Sequence, residues 1–419
     1  MSLLQKLGAL LHVEAFVDRI RSMTFREMIL VTTAVVMVLT GYAGQLIVMN
    51  LWIANMGTIN PAATPLTILT VSSLTTCICF LFAFAVRAVA SWQTISFQFF
   101  MCKKAFILSA ALGFVNAFQG TLTVYAAPGT PEIMQALFLC TQVFWTLAAS
   151  KLFLNDERRL LNVLVVSSFL CVAGGIVLGA SPTFSQSDPT TKSTKWWSII
   201  FCISMIPAAL YNVLASMFMR SFTEDVPESP TAIEDGSPLL VNKDGGRKQQ
   251  GDDTEKEETD NDGHARGDDT TVKITMLTAT SVTQIIFMFA LMPLNAVPWF
   301  GTSPDLAGTR QTVDDGWSCV FRGTHECSHA YVYCILFNFA YLLSYFGSSY
   351  LNHFSAALNA MVTQLSTPIA AIVLLIAPSL NVQGEAVSVG PSIGAIVLMI
   401  VGAALFTLWE HGTRKVLAA

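Results

Sequence analysis

The sequence predicts an all-α membrane protein with ten transmembrane helices arranged as a 5+5 inverted repeat. Three observations lead to this fold class. The charged residues leave eight uncharged gaps, 53% of the 419 residues are hydrophobic while 12% are charged, and the helices of the two halves are weakly similar. A soluble domain carries about 25% charged residues, so this composition is typical of a chain that crosses a bilayer.

The uncharged gaps set the number of helices. A charge at bilayer depth is costly, and one span needs roughly 20 apolar residues. The gaps Glu27–Arg87 and Glu326–Glu385 contain 59 and 58 uncharged residues, which is enough for two helices each. Six shorter gaps hold one helix each: Lys104–Glu132, Glu132–Lys151, Arg159–Asp188, Lys195–Arg220, Lys273–Asp305 and Glu385–Glu410.

Composition also divides the chain into segments. Residues 221–272 carry 15 acids and 5 bases and are poor in aromatics, which predicts a disordered acidic cytosolic loop. Leucines at helical spacing predict an amphipathic juxtamembrane helix at 1–22, with a frayed leader as the alternative. The other predicted segments are the first five-helix repeat (23–181), helix 6 (195–220), helix 7 (273–297), a lumenal loop (298–328) and helices 8–10 (329–411).

Basic residues indicate the orientation. If the N-terminus is cytosolic and ten helices follow, 19 of the 23 Lys and Arg residues lie on the cytosolic side. Positive charge resists translocation, so this asymmetry favours cytosolic N- and C-termini.

Short motifs in the loops suggest location and cross-linking. Asp235, Leu239 and Leu240 resemble the acidic dileucine signal that sorting adaptors read, although so short a pattern also arises by chance. Cys319 and Cys327 lie in the predicted lumenal loop, where an oxidising compartment favours a disulfide between them. Cysteine and histidine spacing fits no metal site, and we expect neither a metal nor another cofactor.

The repeat predicts a site between the two halves. Aligning the fourth and ninth predicted helices places Gln135 opposite Asn359 and Phe144 opposite Pro368. A repeat of five helices must invert in the membrane because five is odd. Inverted repeats place a substrate site at the midplane and allow alternating access.

Uncharged amides on the predicted spans supply candidate ligand contacts. We predict that one central site is lined by Asn50, Gln135, Asn212, Asn359 and Gln364, while Leu51 and Phe144 contact apolar parts of the cargo. Hydrogen bonding between helices is the alternative for each amide. Glu132 is expected at the lumenal rim, where it binds a proton or a cargo amine; a helix cap is the alternative.

Several segments resemble the chloroquine-resistance-transporter family of the drug/metabolite transporter superfamily. The loop sequence Asp315-Gly-Trp-Ser-Cys319-Val-Phe-Arg-Gly323 is similar to a lumenal motif of that family. Phe337–Pro368, Ile206-Pro207 with Asn212, and Val48–Asn50 resemble its helices. The resemblance implies export of amino acids, short or thiol peptides and, in some members, cationic amphiphilic drugs from acidic organelles. Leu51 and Ser344 stand where related chains carry a lysine and an acid, which implies a more neutral cavity.

The resulting hypothesis is a secondary-active, proton-coupled exporter in a lysosome-like, vacuolar or endosomal membrane. Its expected partners are a small-molecule substrate, protons, membrane lipids and sorting adaptors, without nucleic acid, and we expect a monomer. The alternatives are a nucleotide-sugar carrier of the same superfamily and a non-transporting receptor or scaffold. An enzyme is not expected, because no nucleophile, base and orienting group occur together.

Overall fold

The computed structural model describes residues 25–57, 63–90, 98–154, 162–185, 189–223, 267–322, 327, 329–354, 356–380, 382 and 389–418. Twelve α-helices occur in these ranges: α1 Phe25–Gly57, α2 Thr64–Ala90, α3 Lys103–Ala126, α4 Glu132–Leu139, α5 Gln142–Phe153, α6 Val163–Ser185, α7 Pro189–Phe222, α8 Asp269–Leu291, α9 Leu306–Arg322, α10 Ala330–Phe354, α11 Ala356–Ile376 and α12 Val389–Ala418. Short 3₁₀ helices lie at Gln98–Met101, Ala127–Gly129, Met292–Ala296 and Pro378–Leu380.

Nine segments of the described chain are long and apolar enough to cross a membrane. They lie in α1, α2, α3, α6, α7, α8, α10 and α12, with α4 and α5 together forming the ninth. The shorter apolar stretch Val362–Ile376 in α11 occupies the place of the ninth predicted helix. The prediction of an all-helical protein is therefore confirmed, and its helices are compatible with an integral membrane protein.

The fourth predicted helix is interrupted in its middle. Helix α4 ends at Leu139, and the amide of Thr141 donates to the carbonyl of Phe138 at 2.9 Å, a 3₁₀-type bond, before α5 begins. Thr130 precedes α4 but does not cap it, because its hydroxyl donates to the carbonyl of Ala126. Pro131 is the N-cap residue, and Glu132 is the acid of the first turn.

Helices extend into both ends of the predicted acidic loop 221–272. Helix α7 continues to Phe222, which is fully buried against Phe99, and α8 begins at Asp269. The amide of Gly267 donates to the carbonyl of Phe222 at 2.9 Å, so the two ends of the segment meet. Residues 1–22, Asp235, Leu239 and Leu240 lie outside the described residues.

An ion pair joins α2 to the start of α8 beside this junction. Arg87 Nη2 lies 3.0 Å from Asp268 Oδ2, and Asp268 also accepts the amide of Thr271 as the N-cap of α8. Partial burial by itself raises the pKa of Asp268, but the hydrogen bonds from Thr271 and the Arg87 guanidinium outweigh it and lower the pKa below its ordinary value.

The described part of the predicted lumenal loop contains a helix that was not predicted from the sequence. Residues 292–322, called the lid below, consist of the 3₁₀ helix Met292–Ala296, a turn and α9. A disulfide joins Cys319 in α9 to Cys327 just before α10, which confirms the predicted pairing. We call the end of the bundle that carries the lid the lid face.

Buried apolar residues are distributed differently at the two ends of the bundle. At the lid face one continuous cluster joins the ends of α1, α3 and α8 to the starts of α2, α7 and α10, and it includes lid residues such as Phe300 and Val320. At the opposite end, the buried apolar residues of the described chain fall into separate clusters. One joins α3, α7 and α8, another joins α1, α10 and α11, and a third joins α5, α6 and α12.

Close packing joins α1 to α10 across the two halves of the chain. A Cβ atom on Gly41 would lie 2.6 Å from the backbone nitrogen of Ser344 and 2.9 Å from the carbonyl oxygen of Ala340. The two backbones approach each other this closely only because position 41 has no side chain.

We expect Gly41→Ala to lower the thermal unfolding temperature in detergent, because the added methyl group must push two backbones apart. Overpacking of this kind typically costs about 1–3 kcal/mol. Gly390→Ala is the matched control, since a Cβ there meets nothing within 4 Å. Equal unfolding temperatures for the two variants would contradict the close approach of α1 and α10.

Candidate functional site

Two of the predicted site residues form a closed hydrogen-bonded pair. Asn50 Nδ2 donates to Gln135 Oε1 and Gln135 Nε2 donates to Asn50 Oδ1, each at 3.1 Å. Gln135 Nε2 also lies 2.9 Å from the carbonyl oxygen of Ala127 and 2.8 Å from that of Thr130. Both amides are fully buried, so this pair fastens the turn between α3 and α4 to α1.

Glu132 and Gln364 are also buried. Glu132 is 2% exposed, and its Oε1 accepts the backbone amide of Val382 at 3.1 Å. Gln364 is 7% exposed, and its Oε1 has no hydrogen-bond partner among the described residues. A buried amide oxygen without a partner costs free energy unless a bound molecule satisfies it, so Gln364 remains a candidate contact.

The other predicted site residues lie in different environments. Ser344 is buried at the α1–α10 contact, where its hydroxyl accepts Gln45 Nε2 at 2.6 Å. Phe144 packs edge-on against Phe169, with ring centroids 5.0 Å apart. Asn212 is exposed and Leu51 is partly buried. Asn359 belongs to α11, but its side chain lies outside the described residues.

A different set of polar side chains meets where helices of both halves converge. We call this set the central polar cluster: Tyr42, Ser73, Asn116, Tyr211, Gln284, Tyr341 and Tyr345. It comes from α1, α2, α3, α7, α8 and α10.

Hydrogen bonds connect the cluster from helix to helix. Gln284 Nε2 donates to Ser73 Oγ at 3.2 Å, and Asn116 Nδ2 donates to Gln284 Oε1 at 2.8 Å. Asn116 also contacts Tyr341, whose hydroxyl lies 2.9 Å from that of Tyr345.

The tyrosines complete this chain. Tyr211 contacts Tyr345, and Tyr42 is close enough to interact electrostatically with the other three tyrosines. The rings of Tyr341 and Tyr345 are stacked, with centroids 4.5 Å apart. The chain of contacts therefore runs from α2 to α7.

The four tyrosines of the cluster keep part of their surface accessible. They come from α1, α7 and α10 and contact or interact with one another, yet each side chain is only partly buried. We infer that the accessible surface of these side chains faces a gap between the helices. The exposed Asn212 follows Tyr211 directly on α7.

The chemistry of this space is polar, aromatic and uncharged. Tyrosine hydroxyls and amides can both donate and accept hydrogen bonds, and the rings offer flat apolar surface. None of the seven cluster residues carries a formal charge. Such a space suits a solute with both donors and acceptors, and it offers no counter-charge to a polyanion.

The tyrosines of the central polar cluster were not predicted from the sequence. A usable signal was present, because Phe337, Tyr341 and Tyr345 follow one another at intervals of four residues and so share one face of a helix. Aromatic residues also occur on lipid-facing surfaces, which is why this spacing did not stand out from the sequence.

Comparisons with known proteins identify no family. No protein-family model and no curated protein matches the chain. A solved structure titled only "Crystal structure of protein" is 14% identical, with 89% of this chain and 96% of that chain covered at a TM-score of 0.43.

We expect Asn50→Ala and Gln135→Ala each to destabilise the protein, because each leaves a buried amide partly unsatisfied. Interhelical hydrogen bonds in membrane proteins contribute about 0.6–2 kcal/mol, so a double-mutant cycle should give a coupling free energy in that range. Unfolding in mixed micelles provides the measurement. Additive effects of the two substitutions would show that the pair is not coupled.

Proposed function

We propose that this protein is a secondary-active transporter that moves small organic solutes across a membrane by alternating access. The observation that carries this proposal is the central polar cluster, an enclosed, uncharged, hydrogen-bonding space built by helices of both halves. A polar space inside a bundle of apolar helices is costly unless it serves a solute or water pathway.

The pairing of helices supports a 5+5 inverted repeat. Exchanging the halves pairs α1 with α7, α2 with α8, α3 with α10, α4 and α5 with α11, and α6 with α12. Under this exchange the extensive α1–α10 contact corresponds to the α3–α7 contact, and α1–α11 corresponds to α5–α7. The α2–α8 and α6–α12 contacts map onto themselves.

One pair of corresponding contacts differs between the two halves. Alternating access requires such a difference, because one face of the bundle is closed while the other is open. Helices α3 and α8 are in extensive contact, whereas the corresponding α2 and α10 touch only slightly. The apolar cluster is continuous at the lid face and divided at the other end. We infer a state that is closed at the lid face and accessible from the opposite face.

The remaining assignments follow the resemblance to the chloroquine-resistance-transporter family and the distribution of basic residues. The lid face is the lumenal side of a lysosome-like, vacuolar or endosomal membrane, and both termini are cytosolic. The cargo consists of amino acids, short or thiol peptides or cationic amphiphilic compounds, and protons drive export to the cytosol. Sorting adaptors bind the motif containing Asp235, Leu239 and Leu240, and the chain acts as a monomer.

Two alternatives predict different behaviour. A nucleotide-sugar carrier needs basic side chains near the diphosphate, and the central polar cluster contains none. A receptor or scaffold moves no solute, so transport by the purified protein separates it from a carrier.

We expect saturable uptake of amino acids or short peptides when the purified protein is placed in proteoliposomes with a pH gradient. Tyr345→Phe removes one hydroxyl from the central polar cluster and should raise KM by about two- to ten-fold, the factor that corresponds to one hydrogen bond. Tyr331→Phe is the matched control, because Tyr331 is 50% exposed at the start of the same helix. If none of the amino acids and short peptides tested is taken up, the transporter proposal is contradicted.

Gln364 of the predicted amide site and Glu132 at its predicted rim have separate tests in the same assay. Gln364→Ala should raise KM several-fold if its amide oxygen accepts a hydrogen bond from the cargo. Ser366→Ala is the control, since the Ser366 hydroxyl donates to the carbonyl of Thr363 in its own helix, at 2.6 Å. Glu132→Gln should flatten the dependence of export on lumenal pH if this carboxylate carries the coupled proton. If export by that variant still depends steeply on lumenal pH, Glu132 does not carry the coupled proton and has a structural role at the start of α4.

A further inference from the structure

The lid belongs to the second half of the chain but is fastened to helices of the first half. The Trp317 indole Nε1 donates to Thr70 Oγ1 of α2 at 2.9 Å. One residue earlier, Gly316 lies so close to Thr67 that no side chain would fit between them. The lid therefore bridges the two halves at one end of the bundle.

A second cross-half contact is centred on Asn295. The Tyr125 hydroxyl at the end of α3 donates to Asn295 Oδ1 at 2.8 Å. Asn295 is 1% exposed, and its Nδ2 donates to Ser303 Oγ at 2.7 Å. The hydroxyl of Thr302 donates to the same Oδ1 at 2.9 Å. Asn295 thus holds the turn of the lid in shape while it binds α3.

Aromatic packing surrounds the Tyr125–Asn295 contact. The ring of Tyr125 stacks on Phe300, with centroids 4.9 Å apart, and Phe300 lies 5.7 Å from the ring of Trp197 on α7. Phe300 also belongs to the continuous apolar cluster of the lid face. A solute that enters from this face must separate the lid from α2 and α3 before it reaches the central polar cluster.

We propose that the lid is the gate of the lid face, and that Trp317 and Asn295 are the positioning residues that hold it shut through Thr70 and Tyr125. This inference rests on the proposed transport function, since a gate matters only if the central polar cluster is reached from both faces. Opening requires two hydrogen bonds between the halves to break, while the disulfide between Cys319 and Cys327 keeps the lid attached to the start of α10.

The test measures access to the interior rather than transport. The seven free cysteines are replaced, and a reporter cysteine is introduced as Gln119→Cys. Gln119 lies on α3 between Asn116 and Tyr125, and at helical spacing it shares a face with Asn116 and Thr123. A membrane-impermeant maleimide is then applied from the lid face of sealed vesicles, and the rate of labelling is recorded.

Trp317→Phe and Tyr125→Phe each remove one donor and keep an aromatic ring. We expect each to raise the labelling rate by about two- to ten-fold, as the loss of one hydrogen bond from the closed state predicts, and the double variant to raise it further. The matched control is Trp299→Phe, because Trp299 is 67% exposed on the same segment.

Unchanged labelling in both single variants, with normal expression, would overturn the gate. An equal increase in Trp299→Phe would overturn it as well, because the effect would then not depend on the two cross-half contacts. The labelling rate is measured without any solute uptake. Increased labelling together with a complete absence of transport would support the gate and reject the transport function. Transport with unchanged labelling would support the transport function and reject the gate.

Discussion

The constraint on which this structure depends is that a bilayer offers no water to satisfy polar groups. Each amide, hydroxyl and carbonyl within a bundle of spans needs a partner from the protein. Many hydroxyls in the helices meet this requirement locally, as Thr121 does by donating to the carbonyl of Ala117 at 2.8 Å. Where the backbone leaves helical geometry, a side chain must supply the partner. Gln135 does so for the carbonyls of Ala127 and Thr130.

The same constraint separates two kinds of polar residue. Asn50 and Gln135 satisfy one another almost completely and are closed to other molecules. The central polar cluster also satisfies many of its groups internally, but its tyrosines keep accessible surface inside the bundle. A closed pair rigidifies the contact between helices, whereas a cluster that faces a gap can exchange its partners for those of a solute. This difference is why the proposed site is placed at the tyrosines.

The need for buried polar groups to find partners within the protein also explains the hydrogen bonds of the lid. Asn295 is fully buried near the end of the 3₁₀ helix Met292–Ala296, where unsatisfied polar groups would be costly, and Tyr125, Ser303 and Thr302 bond to it. One of these bonds reaches the other half of the chain. The stability of the lid and the closure of the lid face are therefore linked, because the residue that organises the turn also binds α3.

The all-helical character of the protein and the pairing of Cys319 with Cys327 could be predicted from the sequence alone. The sequence predicts ten spans, whereas nine segments of the described chain are long and apolar enough to cross a membrane. A charge at bilayer depth is penalised wherever it occurs along the chain, so the gaps between charges report the helices directly. Helix ends were harder to predict than helices. Asp268 and Asp269 were predicted to belong to the acidic loop, but Asp268 is the N-cap of α8 and Asp269 is its first residue. Helix α9 was missed because its charged residues removed the apolar signal.

Only the tertiary structure decided which polar residues face one another. Asn50 and Gln135 are 85 positions apart, and Gln284 and Ser73 are 211 apart. An amide that bonds another helix and an amide that faces a gap look the same in the sequence. The difference depends on how closely helices from distant parts of the chain approach, as Gly41 and Ser344 do. That approach is set by packing across the whole bundle, which no local pattern encodes.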